Sequence, residues 1–201
     1  MVDTIDITQL QLRMEKNPNV AAAGSMLNKI HLLSVTGLQG SSRAIFSAAL
    51  FRNSPKTYLY ILNDAETAGY FYHDVTQIMG SKQVLFFPSA YKRAAKYGQL
   101  DAANQVLRTE VLTRLQDYKE NLLIVSYPDA LAEKTVSGEQ LKENTLKLST
   151  HEQVDPSFVS EVLESYGFEY VDYVYEPGQY AARGSILDVF SYASEHPYRI
   201  D

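Results

Sequence analysis

Short apolar runs alternate with amphipathic stretches along the first two thirds of the chain. Four runs have the near-continuous hydrophobic character of buried strands: HLLSV (31–35), TYLYIL (57–62), QVLFF (83–87) and NLLIVSY (121–127). Apolar residues recur at helical spacing between them, in residues 41–53, 64–80 and 102–118. Strands that alternate with helices predict an α/β fold with a parallel sheet and helices on both of its faces.

The pattern changes near residue 145. DPSFVSEVLESYG (155–167) predicts a helix that Asp155 caps, Pro156 begins and Gly167 ends. Two strand-like runs follow, and the pair Pro177-Gly178 between them suits a type II turn. PYRID (197–201) alternates like the start of another strand. These segments predict a second, smaller α+β unit with an antiparallel hairpin, and an ending inside a strand predicts a piece of a larger protein.

The predicted organisation therefore has three parts. Residues 1–26 form an N-terminal helical segment, residues 27–146 form the α/β domain, and residues 147–201 form the smaller domain, truncated at its C-terminal end. No internal repeat or low-complexity tract interrupts this order.

Composition excludes several classes of site. The 201 residues include no cysteine, so disulfides and thiolate metal sites are impossible, and the four histidines are too scattered to predict a metal site. A net charge of −6 argues against a protein whose whole surface binds nucleic acid. Neither a signal peptide nor an apolar run of membrane-spanning length is apparent, which predicts a cytoplasmic protein.

The segment GLQGSSRA (37–44) stands where a nucleotide-binding protein carries its phosphate loop, G-x-x-x-x-G-K-[ST]. Gly37 fills the first position, and Gly40 and Ser41 lie within the loop. Ser42, Arg43 and Ala44 replace the glycine, the lysine and the magnesium-binding hydroxyl. We expect no nucleotide or other cofactor to bind here, although a weak anion site near Ser41 and Ser42 stays open.

The sequence patterns leave two functions open. One is a P-loop ATPase with a divergent loop. The other is a single-stranded nucleic-acid-binding module, because Lys92, Arg93 and Lys96 interleave with Tyr91 and Tyr97. A solvated helical face explains the same run, with its tyrosines packed inward.

Taken together, the segments resemble the N-terminal region of the bacterial transcription-repair coupling factors (Mfd), which is similar to the excision-repair protein UvrB. Residues 167–201 carry the most specific match, a G-x-Y-x-x-R-G-x-x-x-D-x-F pattern that begins at Gly178. GLQGSSRA, DAETAGYFYHDVTQIMG and LLIVSYPDALAEK support the match in the same order. The resemblance implies that the first domain is a degenerate P-loop helicase-like domain and that the second docks onto UvrA, the damage-recognition ATPase.

The resemblance also assigns residues and partners. It places the UvrA-contacting arginines at Arg183 and Arg199, and it implies that RNA polymerase and DNA contact only domains outside this chain. The full-length parent would be an ATP-dependent DNA translocase, whereas this chain would have no catalysis of its own. FFPSAYKRAAKYGQLDAANQ (86–105) is too short for the DNA-clamping hairpin of UvrB.

Without the resemblance, Arg183 is an ordinary solvated arginine on a strand with Ser185, Leu187 and Val189, paired with Asp188 or Glu176. With it, we favour an interface residue, because arginines that fork onto carboxylates are typical of binding hot spots. For Arg199, an edge-strand charge that discourages aggregation is nearly as good an explanation.

Overall fold

The computed structural model describes residues 6–91, 100–117 and 120–201. Within these ranges the chain divides into two compact units. The first comprises residues 6–88 and 120–132, and the second comprises residues 89–91, 100–117 and 133–201. The domain bounds derived from the sequence stay a prediction.

The elements follow one another in the chain order listed here: α1 Ile7–Glu15, α2 Pro18–Met26, α3 Ser42–Asn53, β1 Tyr58–Ile61, α4 Ala65–Met79, β2 Val84–Phe86, α5 Ala102–Asp117, β3 Leu123–Ser126, α6 Pro128–Ala132, α7 Gly138–Glu143, α8 Pro156–Ser165, β4 Glu169–Tyr170, β5 Gln179–Arg183, β6 Ile186–Phe190 and β7 Tyr198–Ile200. Three of the four predicted strands of the α/β part are present as β1, β2 and β3. The helices predicted around them begin and end within a few residues of their predicted bounds.

The first unit contains a parallel three-stranded sheet with the order β1-β3-β2. The central strand β3 is buried along its whole length, which explains its uninterrupted apolar sequence. On the edge strand β1, Tyr58 and Tyr60 pack against the core, whereas Leu59 and Ile61 are exposed. The predicted α/β class and the parallel sheet are therefore confirmed.

Helix α4 shows how local sequence sets an element of this unit. Asp64 accepts a 2.8 Å hydrogen bond from the backbone N–H of Thr67, and Gly80 ends the helix with a φ of 80°. Phe71 and Val75 are buried in the core that α4 shares with α3 and the sheet. Tyr70, in contrast, is 69% exposed.

The strand predicted at residues 31–35 is absent, and these residues form no regular element. Leu33 packs against a cluster of helices α2 and α3, but Leu32 is 88% exposed. A short apolar run indicates burial, whereas a strand also needs a neighbour for its backbone N–H and C=O groups. Residues 31–35 pair with none of the three strands of this sheet.

The second unit contains a four-stranded sheet with the order β4-β5-β6-β7. Its hydrophobic face packs against α8, where Val159 and Leu163 contact a cluster that includes Tyr180 and Leu187. The predicted caps of α8 are present, since Asp155 accepts a hydrogen bond from Ser157 N–H and Gly167 has a φ of 80°.

The hairpin predicted at Pro177-Gly178 is wrong, although the turn itself is present. The Gln179 N–H donates to the carbonyl of Glu176, and Gly178 has a φ of 90°, as a type II turn requires at its third position. The strands on either side, β4 and β5, are nevertheless parallel. The antiparallel hairpin is instead formed by β5 and β6, whose turn contains Gly184 at a φ of 64°.

Candidate partner-binding site

The two faces of the second sheet differ in chemistry because side chains alternate along each strand. Asp188 on β6 lies opposite Ala181 on β5 and opposite Arg199 on β7. Arg183 lies two residues after Ala181 and therefore shares this face. The other face carries the apolar residues that pack on α8, so the charged side chains lie on the face away from that helix.

One carboxylate binds both arginines. Arg199 donates from Nε to Oδ1 of Asp188 at 2.7 Å and from Nη2 to Oδ2 at 2.9 Å. Arg183 donates from Nη2 to the same Oδ2 at 2.9 Å. Two guanidinium groups thus share a single negative charge, and this arginine cluster (Arg183, Asp188 and Arg199) keeps one net positive charge.

The positive groups of the arginine cluster lie at the surface and the negative group lies beneath them. The side chains of Arg183 and Arg199 are 48% and 62% exposed, whereas that of Asp188 is 12% exposed. The Arg183 Cζ lies 5.0 Å from the centroid of the Tyr173 ring, within cation–π distance. Tyr173 is itself exposed, so the ring and the two guanidinium groups form one continuous surface.

The hydrogen bonds of the cluster also fix its charge. Hydrogen bonds from Arg199 lower the pKa of Asp188 despite the burial of the carboxylate, and the charges of both arginines act in the same direction. Asp188 in turn raises the pKa of Arg199. The cluster therefore keeps the same charge throughout the physiological pH range.

The structure brings together the two arginines that the resemblance had singled out. Asp188 was one of two carboxylates predicted to pair with Arg183, and it does so. The prediction that Arg183 shares a strand with Leu187 is wrong, because the turn at Gly184 and Ser185 separates β5 from β6. Sequence reasoning missed that Asp188 also binds Arg199, since this follows from the register between β6 and β7.

Residues 37–44, which the sequence predicts to be a degenerate phosphate loop, lie in the first unit and form hydrogen bonds with one another. Gly37 and Gly40 have positive φ angles of 86° and 53°. The Ser42 hydroxyl donates to the carbonyl of Gln39 at 2.6 Å and accepts from the N–H of the same residue at 2.8 Å. Ser41 is the N-cap of α3 but makes no side-chain capping bond. Arg43 Nε donates a long 3.5 Å bond to the carbonyl of Leu38.

Ala44 is the member of this loop that the structure explains best. It is 1% exposed and packs in the core with Phe51 and Ala68. A hydroxyl at this position would enter hydrocarbon rather than face a ligand. Among the described residues that precede the loop, 6–36, there is no strand, so the strand–loop–helix arrangement that cradles phosphates is incomplete in this part of the chain.

Lys92, Arg93 and Lys96 lie outside the described residues, next to an isolated bridge between Tyr91 and Leu100. Across the described ranges, no group of acidic or histidine side chains is arranged to hold a metal ion. None of the helices described is both long and apolar enough to span a membrane.

Comparisons with known proteins show what the chain is similar to. The sequence model of the UvrB interaction domain family matches residues 146–201, which include the whole arginine cluster. The transcription-repair-coupling factor of Bacillus subtilis is 25% identical over 83% of the chain, and that of Borreliella burgdorferi is 20% identical over 96%. The Escherichia coli protein of the same name is 32% identical over 47% of the chain.

The aligned regions span 14%, 17% and 8% of the length of these three relatives. The similarity therefore concerns one region of much longer proteins. Because the matches reach from the first unit into the segment that the UvrB interaction domain model matches, both units of the chain are similar to one region of the transcription-repair-coupling factors.

Proposed function

We propose that this chain is an adaptor that binds UvrA through the arginine cluster and so directs nucleotide excision repair to stalled RNA polymerase. The observation that carries the proposal is the pair of exposed guanidinium groups on the face of the sheet away from α8, within the residues that the UvrB interaction domain model matches. The opposite face of the same sheet is covered by α8, so it cannot serve as the docking surface.

The chemistry of the arginine cluster suits an acidic partner surface. Asp188 uses only part of the donors of each guanidinium, and the remaining N–H groups of Arg183 and Arg199 are available for carboxylates. Arginine binds carboxylates with two parallel hydrogen bonds, which gives orientation as well as affinity. The net positive charge also accelerates encounter with an acidic surface at low ionic strength.

The first unit would then serve as a scaffold rather than an enzyme. We propose that it is a helicase-like domain that has lost its phosphate loop, since Ala44 is buried in the core and the strand before the loop is missing. The ATP-dependent translocation of the parent protein, and its contacts with RNA polymerase and DNA, would belong to regions beyond this chain.

A titration with purified UvrA tests the proposal. We expect saturable binding that weakens as salt rises. Arg183→Glu or Arg199→Glu should each weaken binding by at least about 2 kcal/mol, the scale of a hot-spot arginine that meets a like charge. Arg13→Glu makes the same charge change on an exposed position of α1 and should bind like the wild type. Absence of binding by the wild-type chain would refute the proposal.

A further inference from the structure

The arginine cluster contains a residue that the proposed function does not by itself require. A docking surface built from two arginines needs their positive charge, and a buried carboxylate beneath them reduces it. Asp188 nevertheless accepts three N–H donors from the pair with distances of 2.7 to 2.9 Å. The question is whether Asp188 competes with the partner for the arginines or prepares them for it.

Geometry favours preparation. Asp188 contacts the arginines from the sheet side, and with only 12% of its side chain exposed it does not occupy the outward surface. Arg199 uses Nε and one side of Nη2, so the other edge of its guanidinium points away from Asp188. A partner carboxylate can reach this free edge without breaking any bond to Asp188.

The shared oxygen also holds the two positive groups close together. Both Nη2 atoms lie 2.9 Å from Oδ2 of Asp188, so they cannot be farther apart than these two bonds allow. Like charges at this separation repel, and each free arginine side chain samples many rotamers. The Tyr173 ring beside Arg183 further limits that side chain. Without these contacts the pair would separate and become mobile.

We propose that Asp188, assisted by Tyr173, is a positioning residue that holds Arg183 and Arg199 as a preformed receptor for a pair of carboxylates on UvrA. This inference rests on the proposed function for the identity of the partner. Binding is stronger when the side chains are ordered beforehand, because their entropy is not lost on association.

The decisive variant is Asp188→Asn, which removes the negative charge with little change in size. Simple electrostatics predicts tighter binding to an acidic partner, whereas positioning predicts about tenfold weaker binding. Glu139→Gln, on the exposed first turn of α7, makes the same charge change and should leave the dissociation constant unchanged. The loss caused by Asp188→Asn should shrink in an Arg199→Ala background, because one of the two positioned groups is then gone.

Tyr173 provides a second variant that does not disturb the sheet. We expect Tyr173→Leu to weaken binding about threefold and Tyr173→Phe, which keeps the ring, to bind like the wild type. If Asp188→Asn does not fold, the comparison of Tyr173→Leu with Tyr173→Phe tests the positioning role instead. Equal or tighter binding by folded Asp188→Asn, or an unchanged affinity for Tyr173→Leu, overturns the inference and leaves UvrA docking intact.

A measurement on the free protein separates the two proposals. The Nε–H group of Arg199 should give an NMR signal that exchanges slowly with water in the wild type and rapidly in Asp188→Asn. If the wild-type chain shows this protection but does not bind UvrA, the docking proposal fails while the positioning geometry stands. A rapidly exchanging Arg199 signal in the wild type overturns the positioning role whatever UvrA does.

Discussion

The phenol of Tyr180 on β5 donates a 2.7 Å hydrogen bond to Oε1 of Glu164 on α8. Tyr180 is 1% exposed, so this bond joins the sheet of the second unit to its helix at the edge of the core. The arginine cluster lies on the other face of the same sheet. The position of that cluster therefore depends on how well α8 and the sheet are held together.

We expect Tyr180→Phe to lower the free energy of unfolding of the second unit by about 1 to 2 kcal/mol, the usual contribution of a hydrogen bond to a carboxylate that is partly solvated. Urea denaturation monitored by circular dichroism measures the change. Glu164→Gln should cost less, because the amide oxygen can still accept the bond. A Tyr180→Phe variant as stable as the wild type would show that the bond contributes nothing.

The hydrogen bond between Tyr180 and Glu164 also makes the stability of the second unit depend on pH. Burial of the phenol, and then its hydrogen bond to Glu164, raises the pKa of Tyr180 to about 12. The folded state therefore holds this proton more tightly than the unfolded state, whose tyrosine has a pKa of about 10. The resulting stability is fully present below pH 10 and is lost as the pH rises from 10 through 12. Consequently, the stability difference between wild type and Tyr180→Phe should narrow over this interval; a constant difference would contradict the assignment.

Gly178 and Gly184 offer a matched pair of turn substitutions. A Cβ at Gly178 would overlap the hydroxyl of Tyr192 and lie 2.8 Å from its Cζ, whereas a Cβ at Gly184 would meet nothing within 4 Å. Both residues have positive φ angles. We expect Gly184→Ala to lower the free energy of unfolding by about 1 kcal/mol, because of backbone strain alone. Gly178→Ala should lower it by about 2 to 4 kcal/mol, because overlap with Tyr192 adds to the strain. If thermal unfolding shows the same loss of stability for both variants, the overlap with Tyr192 does not contribute to the stability difference.

The features that sequence patterns predicted correctly depend on neighbouring residues. Asp64 and Asp155 cap their helices through hydrogen bonds to residues two or three positions away, and Gly80 and Gly167 end those helices with positive φ angles. The apolar run of β3 is long enough to require burial on both faces.

The features that sequence patterns missed depend on long-range pairing. Nothing in the order of residues shows that β4 runs parallel to β5, because the same turn at Gly178 could serve a hairpin. The shared role of Asp188 requires the register that places it opposite Arg199, eleven residues later in the chain. The composition of residues 31–35 indicates burial but does not reveal that they pair with no strand of the sheet.

Glu133 contacts Arg108 on α5, the side chain of Ser89 and the backbone of Ala90. It accepts hydrogen bonds from the Ser89 hydroxyl and, at 2.9 Å, from the Ala90 N–H, and it lies 3.3 Å from Arg108, whose side chain is 8% exposed. We expect Glu133→Ala to destabilise the second unit by about 2 to 3 kcal/mol, because it removes the carboxylate that lies beside the buried guanidinium of Arg108 and that accepts two hydrogen bonds.

The more solvent-exposed pair of Arg114 and Glu110 on α5, 3.6 Å apart with side chains 22% and 46% exposed, provides the control for this prediction. Glu110→Ala removes a carboxylate from the same helix but should cost less than about 0.5 kcal/mol, since solvent screens such pairs. Both variants can be compared by urea denaturation. If both variants lose a similar free energy of unfolding, the burial of Arg108 does not strengthen its ion pair with Glu133.

The predicted degenerate phosphate loop, residues 37–44, should not bind nucleotide. A ligand present at a hundred times its dissociation constant stabilises a protein by about 2.7 kcal/mol, so thermal unfolding in excess MgATP is a sensitive test for a nucleotide site. We expect no shift for the wild type. Ala44→Ser restores a hydroxyl at the magnesium position, but the side chain at this position packs against Phe51 and Ala68. This variant should therefore lose about 1 to 2 kcal/mol of stability and still gain no nucleotide binding. Stabilisation of either protein by MgATP, absent with MgCl₂ alone, would show that the loop retains a nucleotide site.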